Sequence, residues 1–94
     1  MNYYALIYHL APDYMERRPL FRSEHLGMAR AAHERGEMIM GGAFAEPADQ
    51  AMLIFHAPNA AIPEAFAQGD PYVKNGLVAK WEVRLWTVVI GAIG

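Results

Sequence analysis

Strand-like and helix-like patterns of apolar residues succeed one another along this chain, separated by glycine and proline. "NYYALIYHL" (2–10) is rich in β-branched and aromatic residues and is closed by Ala11-Pro12, which predicts a strand. Asp13 with Glu16 three residues on resembles a capping box, and predicts a short helical turn that Pro19 interrupts. Because proline is tolerated in a first helical turn, the main helix is expected from about residue 20 to Arg35, with Gly36 as its left-handed stop. Phe21, His25, Met28 and Ala32 recur at i, i+4, i+7 and i+11, which is one helical face and the one expected to meet a sheet. "EMIMGGAF" (37–44) and "AMLIFHA" (51–57) read as the second and third strands, joined by the polar turn "AEPADQ". "NAAIPEAFAQG" (59–69) reads as a second helix, "DPYVKNG" (70–76) as a short capped turn, and "LVAKWEVRLWTVV" (77–89) as a final strand.

The order is β-α-β-β-α-β, the ferredoxin-like split unit of the α+β class: a four-stranded antiparallel sheet with helices on one face. No repeat, linker or low-complexity segment interrupts it, so residues 1–94 are expected to form a single domain. In the last strand Ala79, Trp81, Val83 and Leu85 share one face, while Lys80, Glu82, Arg84 and Trp86 share the other. Trp81 is expected on the helix side and among the most buried residues. Strands two and three are apolar on both faces (Met38, Ile39, Met40; Met52, Leu53, Ile54, Phe55), and two helices can cover only one. A second copy is the simplest cover. A homodimer is expected.

Composition sharpens that reading. Hydrophobic residues make up 54% of only 94 residues, more than so small an interior holds. Eight Lys and Arg against ten Asp and Glu give a net charge of −2 with no basic stripe, which argues against nucleic-acid binding. The absence of cysteine excludes disulfides, thiolate catalysis and thiolate metal sites. "MNYYALIYHL" does not read as a secretory signal, and the apolar tail "VVIGAIG" (88–94) is too short to span a bilayer. The expected setting is cytoplasmic, with no membrane partner.

Two residues carry the candidate chemistry. His25 lies on the sheet-facing helical stripe, where it is either a core-edge histidine with a hydrogen-bond partner or a general acid or base held in a cleft. Asp70, between Gly69 and Pro71, is placed as the N-cap of a turn over 71–75 with proline at N1 and Gly76 at its end. A carboxylate has two oxygens, so one can cap amides while the other accepts from an imidazole.

Arg22-x-x-His25-Leu26, the stop at Gly36, Gly41-Gly42 and Asp70-Pro71-Tyr72, in that order, resemble the YciI-like (YCII-related) family of the dimeric α/β-barrel superfamily. The resemblance spans nearly the whole chain. It implies a His–Asp pair as the active site, carried by His25 and Asp70, together with a homodimer and no cofactor. Lyase-type chemistry on quinone-like rings is associated with the family. The chain departs from the pattern at Gly42-Ala43, where many members have Gly-Pro, and in its short 45–50 turn, which bears on the rim of the cleft.

Other candidates are weaker. Tyr72 either donates a hydrogen bond to a substrate or packs its ring beneath the turn. Arg22 either binds an anionic substrate or is a solvated charge one turn before His25. His33 is about 80° around the helix from His25, flanked by Glu34 and Arg35, and reads as solvated. His9 and His56 fall on different strands, and the sequence leaves open whether they meet; no metal site is expected. No G-x-S-x-G, glycine-rich phosphate loop or H-E-x-x-H occurs. Two functional classes follow. One is a cofactor-independent lyase or isomerase moving a proton on a small ring compound, with His25 and Asp70 catalytic and Arg22 and Tyr72 binding substrate. The other is a non-catalytic dimeric module in which the same cleft only holds a small ligand.

Overall fold

A computed structural model describes residues 1–91; the last three residues of the apolar tail lie outside it. Seven elements follow in order: β1 (Asn2–Leu10), α1 (Tyr14–Glu34), β2 (Met38–Ala43), β3 (Gln50–Ala57), α2 (Ala61–Gly69), α3 (Pro71–Lys74) and β4 (Val78–Trp86). All strand pairs are antiparallel and the spatial order is β2-β3-β1-β4. This is the α+β, ferredoxin-like arrangement, with the β2–β3 hairpin intact and β1 inserted between β3 and β4.

The main helix departs from its expected start. α1 begins at Tyr14 and runs through Pro19, and the Asp13 side chain makes no cap hydrogen bond. Asp13 instead lies 3.7 Å from Arg17 one turn on. Proline removes one helical donor, but Pro19 is on the exposed side, and Tyr14 is buried with its ring edge-on to Tyr72. Tertiary packing of the first turn outweighs the local preference. The other end is as expected: Gly36 takes φ +80° and its N–H bonds the His33 carbonyl at 2.9 Å.

Register assigns the faces of the sheet. Tyr8 sits opposite Ala51 and Trp81, Leu6 opposite Leu53 and Val83, and Tyr4 opposite Phe55 and Leu85. These residues, except Leu85 at the exposed end of β4, pack with Ala32 of α1, Phe66 and Ala67 of α2 and Tyr72 of α3 to form the core. The other face carries Ala5, Ile7 and His9, with Met52, Ile54 and His56 beside them on β3 and Glu82, Arg84 and Trp86 on β4. The alternation expected for the last strand therefore holds. Trp81 does face the helices, but it is only half-buried. It stands on β4, an edge strand, so one flank of its ring has no neighbouring strand to cover it. The fully buried places go to Tyr8, Phe55, Leu6 and Leu77. β4 also stops at Trp86 rather than at residue 89, because its pairing partner there is Tyr3 at the start of β1.

An irregularity between Met38 and Met40 lets Met38 face inward opposite Phe55 while Met40 pairs with Ile54 on the outer face. Ile39 is left at the shift. The same region forms one wall of the cavity described next.

Candidate active site

The polypeptide builds the site from a helix-to-helix corner. α2 ends at Gly69, and Asp70 adopts an extended backbone (φ −72°, ψ 124°) that turns the chain into α3. Pro71, at the first helical position, has no N–H to lose, so the Asp70 carboxylate is free to accept from the next amide. Tyr72 N–H donates to Asp70 Oδ1 at 3.0 Å. Gly76, at φ +77°, ends the turn.

Two more donors converge on the same carboxylate. Tyr8, on the inward face of β1, donates its hydroxyl to Asp70 Oδ2 at 2.7 Å. His25, from α1, places Nδ1 2.9 Å from both Oδ1 and Oδ2. Asp70 is 0% exposed. An ionised carboxylate so deeply buried needs its lone pairs filled, and three donors from β1, α1 and α3 do so. Since a carboxylate only accepts, His25 Nδ1 carries the proton, and in the neutral ring Nε2 holds the lone pair. Nε2 has no hydrogen-bond partner among the described residues. The cap and the partner are one residue.

Aromatic rings fix the imidazole in plane. His25 stacks on Tyr72 with centroids 4.0 Å apart and 8° between planes, and Phe66 meets it edge-on at 6.4 Å. Burial pushes the Tyr72 hydroxyl up to about 12, with Tyr14 and Asp70 adding to the rise and Arg22 and Arg18 opposing it. The Tyr8 hydroxyl is raised further, first by burial and then by the adjacent Asp70 charge and hydrogen bond. Both phenols are therefore neutral at ordinary pH.

The His25 ring lines a cavity of about 650 Å³ between α1 and the sheet, walled by Tyr8, Leu53 and the Met38–Ala43 strand. Arg22 and Tyr72 line it as well. That volume is in the range of small-molecule sites and admits a substituted ring with room to spare.

The sequence matches the YCII-related domain over residues 1–87. The chain belongs to that family. Among curated proteins none matches it. Among solved structures, it is similar to 5-chloro-2-hydroxyhydroquinone dehydrochlorinase from Burkholderia phenoliruptrix AC1100, in complex with 2,5-dihydroxybenzoquinone. The TM-score is 0.76 at 19% identity, over 90% of this chain and 93% of the other. At that identity the likeness speaks to the fold.

Within this YCII-related fold three of the four sequence candidates, Arg22, His25 and Tyr72, line one cavity, and Asp70 lies buried behind His25. Tyr72 serves both as amide donor to Asp70 and as the plate beneath His25, so the packing alternative describes its ring. Arg22 is exposed at the cavity. His33, read from sequence as solvated, is exposed but anchored: its Nδ1 donates to the Met38 carbonyl at 2.7 Å, and the ring lines the same cavity. His9 and His56 do not meet. They share the outer face, but His56 pairs opposite Tyr3, six residues from His9 along β1, or about 20 Å. No three His, Asp or Glu side chains gather in metal-holding geometry among the described residues. No helix among them is long and apolar enough to cross a membrane.

Tyr8 and Arg18 are the participants that sequence reading missed. Tyr8 carried a signal, since an even-numbered phenol on β1 shares the face of Leu6 and must find a partner for its hydroxyl once buried. For Arg18 the signal is its spacing, four residues before Arg22 on a helix that starts earlier than expected.

Proposed function

We propose that the protein is a cofactor-independent enzyme of the lyase or isomerase type, acting on a small ring compound through His25 and Asp70. His25 Nε2 takes a proton from the bound ring. Asp70 holds Nδ1–H, fixing the tautomer, and its charge stabilises the imidazolium formed by that transfer. Tyr8 and the Tyr72 amide keep the carboxylate oriented without competing for the proton. The reading is carried by one observation: a fully buried carboxylate, held by three donors, whose imidazole partner lines a cavity large enough for a small ring compound, with Nε2 unpaired. The dehydrochlorinase named above, which eliminates hydrogen chloride from a hydroquinone, supports the choice of reaction class.

The assembly in this reading is a homodimer formed through the outer sheet face. Ile7 and Met52, partly exposed in the single chain, supply its apolar centre beside the already buried Ile54, and Met40 and Trp86, 66% and 46% exposed, its border.

The test is turnover of a panel of chlorinated and unchlorinated hydroquinones, read by chloride release and by exchange of ring protons with deuterated solvent. Turnover or exchange in the wild type that is lost in His25→Asn supports catalysis. Saturable binding with neither signal makes the cavity a ligand-holding module instead.

A further inference from the structure

One face of α1 turns its charges toward the cavity in an unusual distribution. Arg18, Arg22 and Arg30 all line it, against the single acid Glu34, in a protein whose net charge is −2. Arg17 and Arg35, elsewhere on the same helix and just past its end, have carboxylate partners in Asp13 and Glu37. The three cavity arginines have none among the described residues. Arg18 and Arg22 are also one helical turn apart, an i, i+4 like-charge pair that repels unless something negative lies between.

Arg18 adds a second observation. It is half-buried, its guanidinium stands 6.0 Å over the Tyr14 ring, and its Nε is buried with no hydrogen-bond partner. Tyr14 in turn meets Tyr72 edge-on, and Tyr72 stacks on His25. The guanidinium, the two phenol rings and the imidazole thus touch in series, which links Arg18 to His25 through buried aromatic contacts. A buried guanidinium donor without an acceptor is costly, and a ligand oxygen would relieve it.

We propose that Arg18 and Arg22 form an anion subsite beside His25, so that the ligand is a planar ring compound bearing a carboxylate or an ionised hydroxyl. The inference rests on the ring-compound reading of the same cavity and adds the sign of the ligand's charge. The ring sits in the cavity beside His25, and its anionic group takes the planar fork of Arg18 and the charge of Arg22. A neutral ring of the same shape fills the cavity but leaves both guanidinium groups unpaired. An arginine fork fits this task better than an ammonium, because it offers parallel donors in the plane of a carboxylate.

Benzoate and benzamide are the probes, equal in shape and different in charge, titrated into the full-length protein by calorimetry and by the His25 imidazole NMR signals. Benzoate is expected to bind at least about tenfold more tightly than benzamide at low salt, with the advantage shrinking as salt rises. Arg22→Gln, at an exposed position that folding does not depend on, should weaken benzoate about five- to tenfold and leave benzamide unchanged. Arg18→Gln should do the same, and Arg18→Lys should recover only part of the loss. Equal affinities for the two probes, no binding of either at millimolar concentration, or an Arg22→Gln variant that still prefers benzoate to the same degree would each overturn the subsite. His25→Asn separates this from the catalytic reading: it abolishes turnover there, yet leaves the preference for benzoate in place. Loss of catalysis across the hydroquinone panel with that preference intact would sink the enzyme and keep the anion site.

Discussion

Tyr8 and Asp70, 62 positions apart in sequence, meet in a 2.7 Å hydrogen bond at the bottom of the core. The bond ties the central strand to the corner between α2 and α3, and so ties the sheet to the carboxylate that orients His25. Removing the hydroxyl alone probes it. Tyr8→Phe leaves the ring packing intact but strips one donor from a buried charged acceptor, and should cost about 1–3 kcal/mol in urea denaturation. Tyr4→Phe, four residues back on the same face, removes a hydroxyl whose bond to Asn2 is longer at 3.4 Å and only part-buried. It should cost less than half as much. Equal losses would mean that the Asp70 bond adds nothing specific.

The two buried phenols also set an alkaline limit on stability. Tyr72 is held up to about 12 and Tyr8 is raised as well, in each case chiefly because burial disfavours the phenolate. A group whose folded pKa exceeds the unfolded value, about 10 for tyrosine, contributes stability that is complete below 10 and is lost as pH rises through the folded value. Stability should therefore fall between about pH 10 and 12. Titration followed by phenolate absorbance should show at least two of the five tyrosines ionising late, together with unfolding. A single smooth ionisation near 10 in the native protein would contradict the buried assignment.

Much of this arrangement was legible in the sequence, and the exceptions share a cause. Strand alternation separated Trp81 from Lys80, and the helical stripe put His25 toward the sheet, because both signals are periodic and local. Asp70 was legible as a cap because Gly69 and Pro71 flank it. Its meeting with His25 had to come from family resemblance, since the two are 45 positions apart with two further strands between them. The start of α1 was misread because a local rule about Pro19 was outweighed by burial of Tyr14 against Tyr72, a contact no window of sequence contains. His33 looked solvated, and Arg18 went unremarked, for the same reason. Which face of α1 borders the cavity depends on where β2 lies, and β2 follows later in the chain.

Asp70→Asn is the sharpest test of the proposed pair. The amide is nearly the same size and retains an oxygen for the Tyr72 N–H, so the α3 cap should survive largely intact. It cannot supply the charge, and its NH2 donates where the carboxylate accepted. His25 Nδ1–H then loses its fixed acceptor and the ring shifts toward the other tautomer, which puts the proton on Nε2. Nitrogen NMR of the imidazole reads this directly. If the enzyme reading holds, turnover should fall about 10²–10⁴-fold, by analogy with carboxylate–histidine pairs in general. Unchanged tautomer populations would leave Asp70 as a cap alone.

The proposed dimer makes a prediction that leaves the cavity untouched. Met52 lies opposite Ile7 and Gly42 on the outer face of the sheet, with His25 and the helices on the other side. It is partly exposed in the single chain, so a charged side chain there has solvent to reach and need not unfold the protein. Glu82 and Arg84 border the same face and pair opposite Ile7 and Ala5. Light scattering at micromolar concentration should give twice the 10.5 kDa chain mass for the wild type. Met52→Glu should give a monomer, because a desolvated carboxylate without a partner at the centre of an apolar interface costs several kcal/mol. Arg84→Glu should weaken association more than Glu34→Lys, a change on the helix side. A wild-type monomer would remove the second copy from the proposal and leave the outer face without its cover; a Met52→Glu dimer of unchanged stability would move the interface elsewhere.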